Sequence, residues 1–457
     1  MHTVARRRHR HLHEEPMVPC IFPSSSLNTT LLTHNAVTFL PRPGSSEAPQ
    51  ADDPVASAVA ALDASIAAWL RPQQTACKER GFRFVVREGG FGSTLNSLVK
   101  ELLWALLHGR PPLGEALSER SGSRRAQHRL RLAEPAPLEL FRNATTCANA
   151  SLECFLQPLT NCSAESRTSQ RGMAHGGRWL EVVSHEEVLA MAPPGTEPLR
   201  ADIAAAGRFA LVSLLLASLL RPSGSVAARL RAVRSSLGWP EAEPRAARGG
   251  RGAPPPLLIG VHLRAGDACD AEALARHNRT CEPLSAFAAA VQAVVSAYGG
   301  KRRVRRKWQT LRRRGGGAGV RQIEQLISGG SVDGHEDATS VMVDLLLLAS
   351  CDVLIGKFSS NIDRLAYSLM AVRRGREHRR EQAEGVAAEA EAASQRASPP
   401  LCLPPYVSLD HPWCADWGVR LPIRTLSPLP YAAALPTVPT LREEEGSPPR
   451  VVGGFEC

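Results

Sequence analysis

Two rhythms of apolar residues alternate along this 457-residue chain. Short unbroken apolar runs read as strands buried on both faces, and apolar residues spaced three and four apart read as amphipathic helices. The first clear unit opens at Gly81. Phe82–Val86 is a strand, Arg87–Gly92 a glycine-rich turn, and Thr94–Leu107 a helix with Leu95, Leu98, Leu102 and Leu106 on one face. Residues 110–200 show no sustained period and read as loops. A helix is predicted over about 201–220, stopping at Pro222 and resuming over 225–237. The second half repeats the same logic. Leu257–Leu263 is a strand, Arg264–Asp267 a turn, and Leu284–Tyr298 a helix presenting Phe287, Val291, Val294 and Tyr298. Residues 338–349 read as an apolar helix, Val353–Gly356 as a strand and Phe358–Ser360 as a turn. Asn361–Met370 is a helix with Ile362, Leu365, Ala366 and Leu369 at i, i+3, i+4 and i+7. Strands alternating with helices, with turns at the strand C-termini, predict an α/β protein with parallel sheets and ligand sites at those ends.

Composition adds the boundaries. With 43% hydrophobic and 22% charged residues the chain buries a real core, which excludes wholesale disorder. No period of 20–50 residues marks a solenoid. Residues 1–76 are basic, then Pro/Ser-rich, then Ala-rich from Val55 to Leu70, and read as a disordered leader or stalk carrying at most one helix. Residues 77–220 form a first α/β domain and 221–420 a second. Low-complexity insertions interrupt the second domain at 240–256, 299–331 and 372–400, the last a solvated helical stretch, and a tail follows over 421–457.

The net charge of +11 is local. Residues 301–314 hold nine basic residues and no acidic one, and without them the balance is +2. Such a block is either an exposed basic loop or a nuclear-localisation or polyanion-binding segment. It lacks the basic face interleaved with aromatics of a nucleic-acid module, so no nucleic-acid partner is expected.

Seven of the eleven cysteines fall in local groups, at Cys147, Cys154 and Cys162, then Cys269 and Cys281, then Cys402 and Cys414. No C-x-x-C or His-interleaved spacing accompanies them, so no metal site is expected. Five N-x-S/T sequons stand at Asn28, Asn143, Asn149, Asn161 and Asn278, among only eight asparagines. Chance gives about one for this Ser and Thr content. Together these features indicate the oxidising lumen of the secretory pathway. The N-terminus shows no apolar signal region, and no run reaches the length of a membrane span. The nearest is Phe209–Leu220, twelve residues long, so no membrane anchor is visible.

Three constellations carry chemistry. In IGVHLRAGD (Ile259–Asp267) an apolar strand delivers His262 and then Arg264, whose planar fork suits phosphate; the plain alternative is a surface Arg in a turn. In DLLLLASCDVLIGKFSSNIDRLAY (Asp344–Tyr367), Asp344 stands among Val and Leu, where a charge needs a partner. Ser359 and Ser360 precede a helix, where hydroxyls and free backbone N–H groups cradle an anion or, more plainly, cap the helix. GGFGST (Gly89–Thr94) follows a strand and opens a helix, but it lacks the third glycine of a dinucleotide fingerprint.

HLRAGD, the run DLLLLASCDVLIGKFSSNIDRLAYSLM and the GGFG turn together resemble the core α-1,6-fucosyltransferase family and its algal-type relatives. LLRPSGSVAARLRAVRSSLG, CFLQPLTNC and YVSLDHPWC are similar to segments flanking that family's core. The resemblance covers roughly residues 80–415 and is most specific over 344–370. It implies a GT-B-like α/β fold of two Rossmann-like domains with low-complexity insertions. Residues 77–220 would be the acceptor side and 221–420 the nucleotide-sugar domain. The implied activity is metal-independent transfer of L-fucose, with inversion, from GDP-fucose to a glycan or glycoprotein acceptor in the Golgi or secretory-pathway lumen. No cofactor is implied beyond this donor substrate. By the same resemblance Arg264 stabilises the leaving diphosphate, His262 lines the nucleotide site and Asp344 accepts hydrogen bonds from guanine. Ser360 contacts the β-phosphate beside Ser359, and Gly90, Phe91 and Gly92 belong to the donor-binding turn. Glu272 falls at the position of the family's base, with Asp270 as its local competitor. A Cys269–Cys281 disulfide would close the loop around that base, and Cys402–Cys414 is a second expected pair.

The chain also departs from the family. Ala265 stands where a second Arg is common, and no Thr-Asp-Asp-type strand end separates the two main motifs, where residues 299–331 hold the basic block. No SH3-like module is recognisable after Asp416. These departures keep a second reading open, a catalytically weak or inactive relative acting as a binding module. Acceptor, linkage and oligomeric state are not legible here.

Overall fold

The computed structural model describes residues 37–39, 54–73, 82–87, 91–109, 112–119, 136–137, 154–158, 170–171, 185–239, 257–263, 281–298, 334–385, 401–410 and 413. Two small sheets, each mainly parallel, are packed with helices. In the first, β2 (Phe82–Arg87) lies between β3 (Pro112–Glu119) and β5 (Gln170–Arg171), parallel to both, and β4 (Ala136–Pro137) closes the far edge antiparallel to β3. Strand order therefore reverses at β2, which makes its C-terminal end a topological switch point. The second sheet runs β1 (Val37–Phe39), β8 (Tyr406–Ser408), β7 (Val353–Gly356) and β6 (Ile259–Val261). Its last three strands are parallel, and β1 is antiparallel to β8.

The apolar runs behave as strands covered on both faces. Val353 and Ile355 of β7 turn to one cluster with Phe287, Ala290 and Val294 of α7 (Leu284–Tyr298). Leu354 faces the larger core on the other side. That larger core is continuous across the proposed domain boundary. It joins α1 (Pro54–Gln73), α2 (Phe91–Leu107), α5 (Arg208–Leu219), α8 (Gly334–Leu348) and α9 (Asn361–Gly385).

Several elements differ from the sequence reading. Part of the stretch read as a leader is built in: α1 buries Val59, Leu62 and Ile66, and β1 is a strand of the second sheet. Within 110–200, read as loops, residues 112–119 pair with β2 and α3 (His185–Ala190) forms. The single helix of 201–220 is two, α4 (Glu197–Ala206) and α5, bent by 106°. The cause is Gly207 at φ 86°, a conformation closed to residues with a side chain. Helix α6 (Gly224–Leu237) starts and stops where expected. Its N-cap Ser223 accepts from Val226 N and donates to Cys154 O, and Gly238 ends it in the left-handed region. No single described helix is long and apolar enough to cross a membrane.

The stretch 372–400, read as a solvated insertion, begins as an integral part of α9. Val372 is buried, and Arg373 donates to the Ala349 and Cys351 carbonyls just beyond the C-terminus of α8. Arg374 pairs with Asp352, and Arg379 reaches Asp63 of α1. A cation at a helix C-terminus satisfies orphan carbonyls and meets the negative end of the dipole, which a charge count over the segment does not register. Cys154, Cys281 and Cys402 are disulfide-bonded, whereas Cys351 is a buried free thiol.

Candidate functional site

The strand C-termini of the second sheet and the N-terminus of α2 meet at one place. After β7 the chain turns through Lys357–Ser360 into α9, and every backbone N–H of that turn has an acceptor. Lys357 N donates to Asp363 Oδ2 at 2.9 Å, Phe358 N to Ser408 Oγ at 3.2 Å and Ser359 N to Asp410 at 3.4 Å; Ser360 N bonds to Lys357 O at 2.8 Å. Ser408 Oγ donates in turn to Asp410 Oδ1 at 3.0 Å, so the end of β8 is tied into the same unit. Behind the turn stands an aromatic wall. Phe358 lies 5.3 Å from Tyr367 and 5.0 Å from Tyr406, and Phe209 meets Tyr367 and Trp413. Tyr367 OH donates to Pro404 O and Trp413 Nε1 to Arg364 O, so the wall also fixes the 401–413 segment.

The end of β6 joins this unit. His262 N bonds to Ile355 O at 2.9 Å, and His262 Nδ1 lies 2.9 Å from Asp363 Oδ1. Asp363 is fully buried, whereas the His262 side chain keeps 24% exposure. Asp363, third residue of α9, also places negative charge at a helix N-terminus, where the dipole favours it. Loss of hydration among the surrounding protein raises the pKa of Asp344 on α8 from 3.8 to about 6, against a smaller downward pull from the charges of His262 and Arg229. The Asp344 side chain is nevertheless exposed. Water touching the carboxylate limits the size of this upward shift.

The first sheet reaches the same place through α2. Asn361 Nδ2 donates to Ser93 Oγ at 2.7 Å, and a Cβ on Gly92 would stand 2.9 Å from Ile362 Cδ1. The N-termini of α2 and α9 are therefore neighbours, though 270 positions separate Phe91 from Asn361.

The structure thus brings together His262, Ser359, Ser360 and Gly92, with Asp344 close by. It corrects three expectations. Helix α2 begins at Phe91 rather than Thr94, so Phe91 and Gly92 belong to the helix and not to the turn expected there. Phe91 is buried, with its ring edge-on to Phe155 at 6.2 Å, so it belongs to the core rather than to a ligand surface. The backbone N–H groups of Ser359 and Ser360 are not an open anion cradle, because internal acceptors occupy them. Gly90, Arg264, Asp270 and Glu272 lie outside the described residues. Among the described residues no group of three His, Cys, Asp or Glu could hold a metal ion.

Sequence reasoning missed Asp363, Asp410, Lys357 and the Ser93–Asn361 link. Asp363 had a signal, since Ser360-Asn-Ile-Asp363 has capping-box spacing. The carboxylate serves Lys357 and His262 instead of the Ser360 N–H. Comparison of the sequence with protein-family models and with curated proteins finds no match.

Proposed function

We propose that this chain is a GDP-fucose-dependent glycosyltransferase of GT-B-like architecture, transferring L-fucose with inversion and without a metal to a glycan or glycoprotein hydroxyl. The observation that carries this reading is the convergence of the C-termini of β6, β7 and β8 with the start of α2 on His262 and the Ser359–Ser360 turn. Open parallel sheets bind nucleotides at such ends. Two neighbouring helix N-termini add positive potential where a diphosphate leaving group accumulates charge. In this reading His262 and Asp344 meet the nucleotide, Ser360 the β-phosphate and Arg264 the departing diphosphate, while Glu272 or Asp270 takes the acceptor proton.

A second reading has its own observation. Asp363 and Asp410 put carboxylates onto the backbone N–H groups of the turn after β7, where a donor phosphate would compete with them. Ala265 and the missing acidic strand end agree with a weak or inactive relative acting as a binding module. Titration of GDP and GDP-fucose into the full chain by calorimetry, with Arg264→Ala as control, separates the two. Binding lost in the variant supports the enzyme, and no binding to folded protein leaves the binding module. The full chain is required because α1 and β1 are part of the fold. Residence in the Golgi or secretory lumen rests on the five sequons and the disulfide-bonded cysteines. A mobility shift on endoglycosidase treatment tests it, and mass spectrometry tests the Cys269–Cys281 and Cys402–Cys414 pairings.

A further inference from the structure

We infer that Asp410 is an internal stand-in for a ligand anion. Its carboxylate occupies the Ser359 N–H and yields it to a phosphoryl group, so that Asp410 restrains anion binding at this turn rather than supporting it. The inference rests on the nucleotide reading above only for the identity of the ligand, a diphosphate ester.

The backbone donors between β7 and α9 are held unequally. Lys357 N reaches the fully buried Asp363 carboxylate at 2.9 Å, and Ser360 N reaches Lys357 O at 2.8 Å within the turn itself. Ser359 N instead lies 3.4 Å from each oxygen of Asp410, a shared and stretched contact beside the usual spacing of about 2.9–3.0 Å. Asp410 is only half-buried, and it keeps Ser408 Oγ at 3.0 Å when it lets Ser359 go. The carboxylate also leaves donors unmet. Ser359 and Ser360 are 4% and 2% exposed, yet among the described residues neither hydroxyl has a hydrogen-bond partner. Ser360 is the N-cap of α9, since Arg364 N bonds to Ser360 O at 3.3 Å. Its hydroxyl therefore stands at the end of the helix with the first-turn N–H groups of Asn361, Ile362 and Asp363, which have no acceptor within the helix. A phosphoryl group offers three strong acceptor oxygens, enough for the Ser359 N–H and both hydroxyls, and brings its charge to the positive end of the helix. The carboxylate of Asp410 takes only the first of these donors.

Calorimetric titration of inorganic pyrophosphate into the full chain tests this, with Asp410→Ala and Asp410→Asn alongside. Removing the carboxylate should tighten pyrophosphate binding about tenfold, and Asp410→Asn, which loses the charge but keeps an acceptor, should gain about threefold. The Ser359 amide, followed by 15N-serine labelling and assigned by its absence in Ser359→Ala, should shift with pyrophosphate in the parent and in both variants. Unchanged or weaker binding by folded Asp410→Ala overturns the inference, because a residue that only shapes the turn loses affinity when it is removed. Tighter binding that leaves the Ser359 amide unmoved also overturns it, since the gain then belongs to another group. So does a failure of all three proteins to bind pyrophosphate. Asp410→Asn carries the test if Asp410→Ala does not fold. A parallel titration of GDP separates this inference from the reading it deepens. If pyrophosphate behaves as expected and GDP gains nothing over it, the role of Asp410 holds and the nucleotide reading fails. If GDP binds tightly and Asp410→Ala changes neither ligand, the reverse is true.

Discussion

The start of α9, with the turn that follows β7, and the start of α2 are both helix N-termini that come next after a parallel strand in the chain, yet they are built on different principles. After β7, side chains do the work. Asp363, Ser408 and Asp410 occupy the backbone donors, and the carboxylate holds His262. At the start of α2 the decisive feature is the lack of a side chain, with Gly92 letting Ile362 of α9 approach. The first is an electrostatic unit assembled before any ligand arrives, and the second supplies shape. Recognition chemistry therefore concentrates on the β7 side, and substitutions should affect the two turns very unequally.

Gly356→Ala should have the largest effect. A Cβ there meets Asp363 Oδ1 at 2.5 Å and Cγ at 2.7 Å, and the buried carboxylate has nowhere to move. Overpacking of this kind costs about 2–3 kcal/mol. The urea midpoint should fall by that amount with an unchanged m-value; a loss below about 1 kcal/mol would show that the unit is loose. Asp363→Asn comes next, at about 1–2 kcal/mol, because it exchanges a charge-assisted bond for an amide facing a ring nitrogen. A variant as stable as the parent would mean that the pair with His262 contributes nothing to the fold.

How far each turn was legible follows from the same contrast. Periodicity placed Val353–Gly356 and Leu284–Tyr298 at their observed bounds, because a strand or helix buried on a fixed face must repeat. The serines at 359–360 were visible as cap residues. Which acceptors take their N–H groups was not, since Ser408 and Asp410 lie about fifty positions on and nothing local records that β8 lies beside β7. Three-residue strands such as β8 and β1 carry too little period to be told from loops. Arg373 and Arg374 look solvated by composition, and only the fold shows the carbonyls and carboxylate they serve. Close approach at Gly92 was equally hidden, because a glycine beside other glycines reads first as a turn residue.

Asp344 gives the β7 side a pH signature. Its folded pKa is raised from 3.8 to about 6, so between these values the folded state holds a proton that the unfolded chain releases. Stability therefore declines as pH rises through that window and stays lower above it. Asp344→Asn should remove the decline, matching the parent near pH 3.5 and exceeding it modestly at pH 7, with water limiting the gain at this exposed site. Urea titrations at the two pH values check this, and a variant less stable at pH 7 would show that the carboxylate's attraction to His262 and Arg229 outweighs its loss of hydration.

The smallest effects belong to the contact between the turns. Gly92→Ala sets a methyl 2.9 Å from Ile362 Cδ1, the free end of a flexible side chain, while Ala regains up to about 1 kcal/mol of helix propensity. The two nearly cancel, and the net change should stay under about 1 kcal/mol. The Ser93–Asn361 bond is subtler still, because Ser93 is exposed and both groups are neutral. Asn361 also accepts from Arg364, so Asn361→Ala alone loses more than the bond to Ser93. A double-mutant cycle with Ser93→Ala cancels that extra loss and isolates the link. We expect a coupling of about 0.5 kcal/mol, the scale of an exposed hydrogen bond. A coupling near zero would leave the two turns joined by shape alone. One above about 1.5 kcal/mol would make Ser93 part of the electrostatic unit, and the contrast between a charged turn and a shaped one would fail.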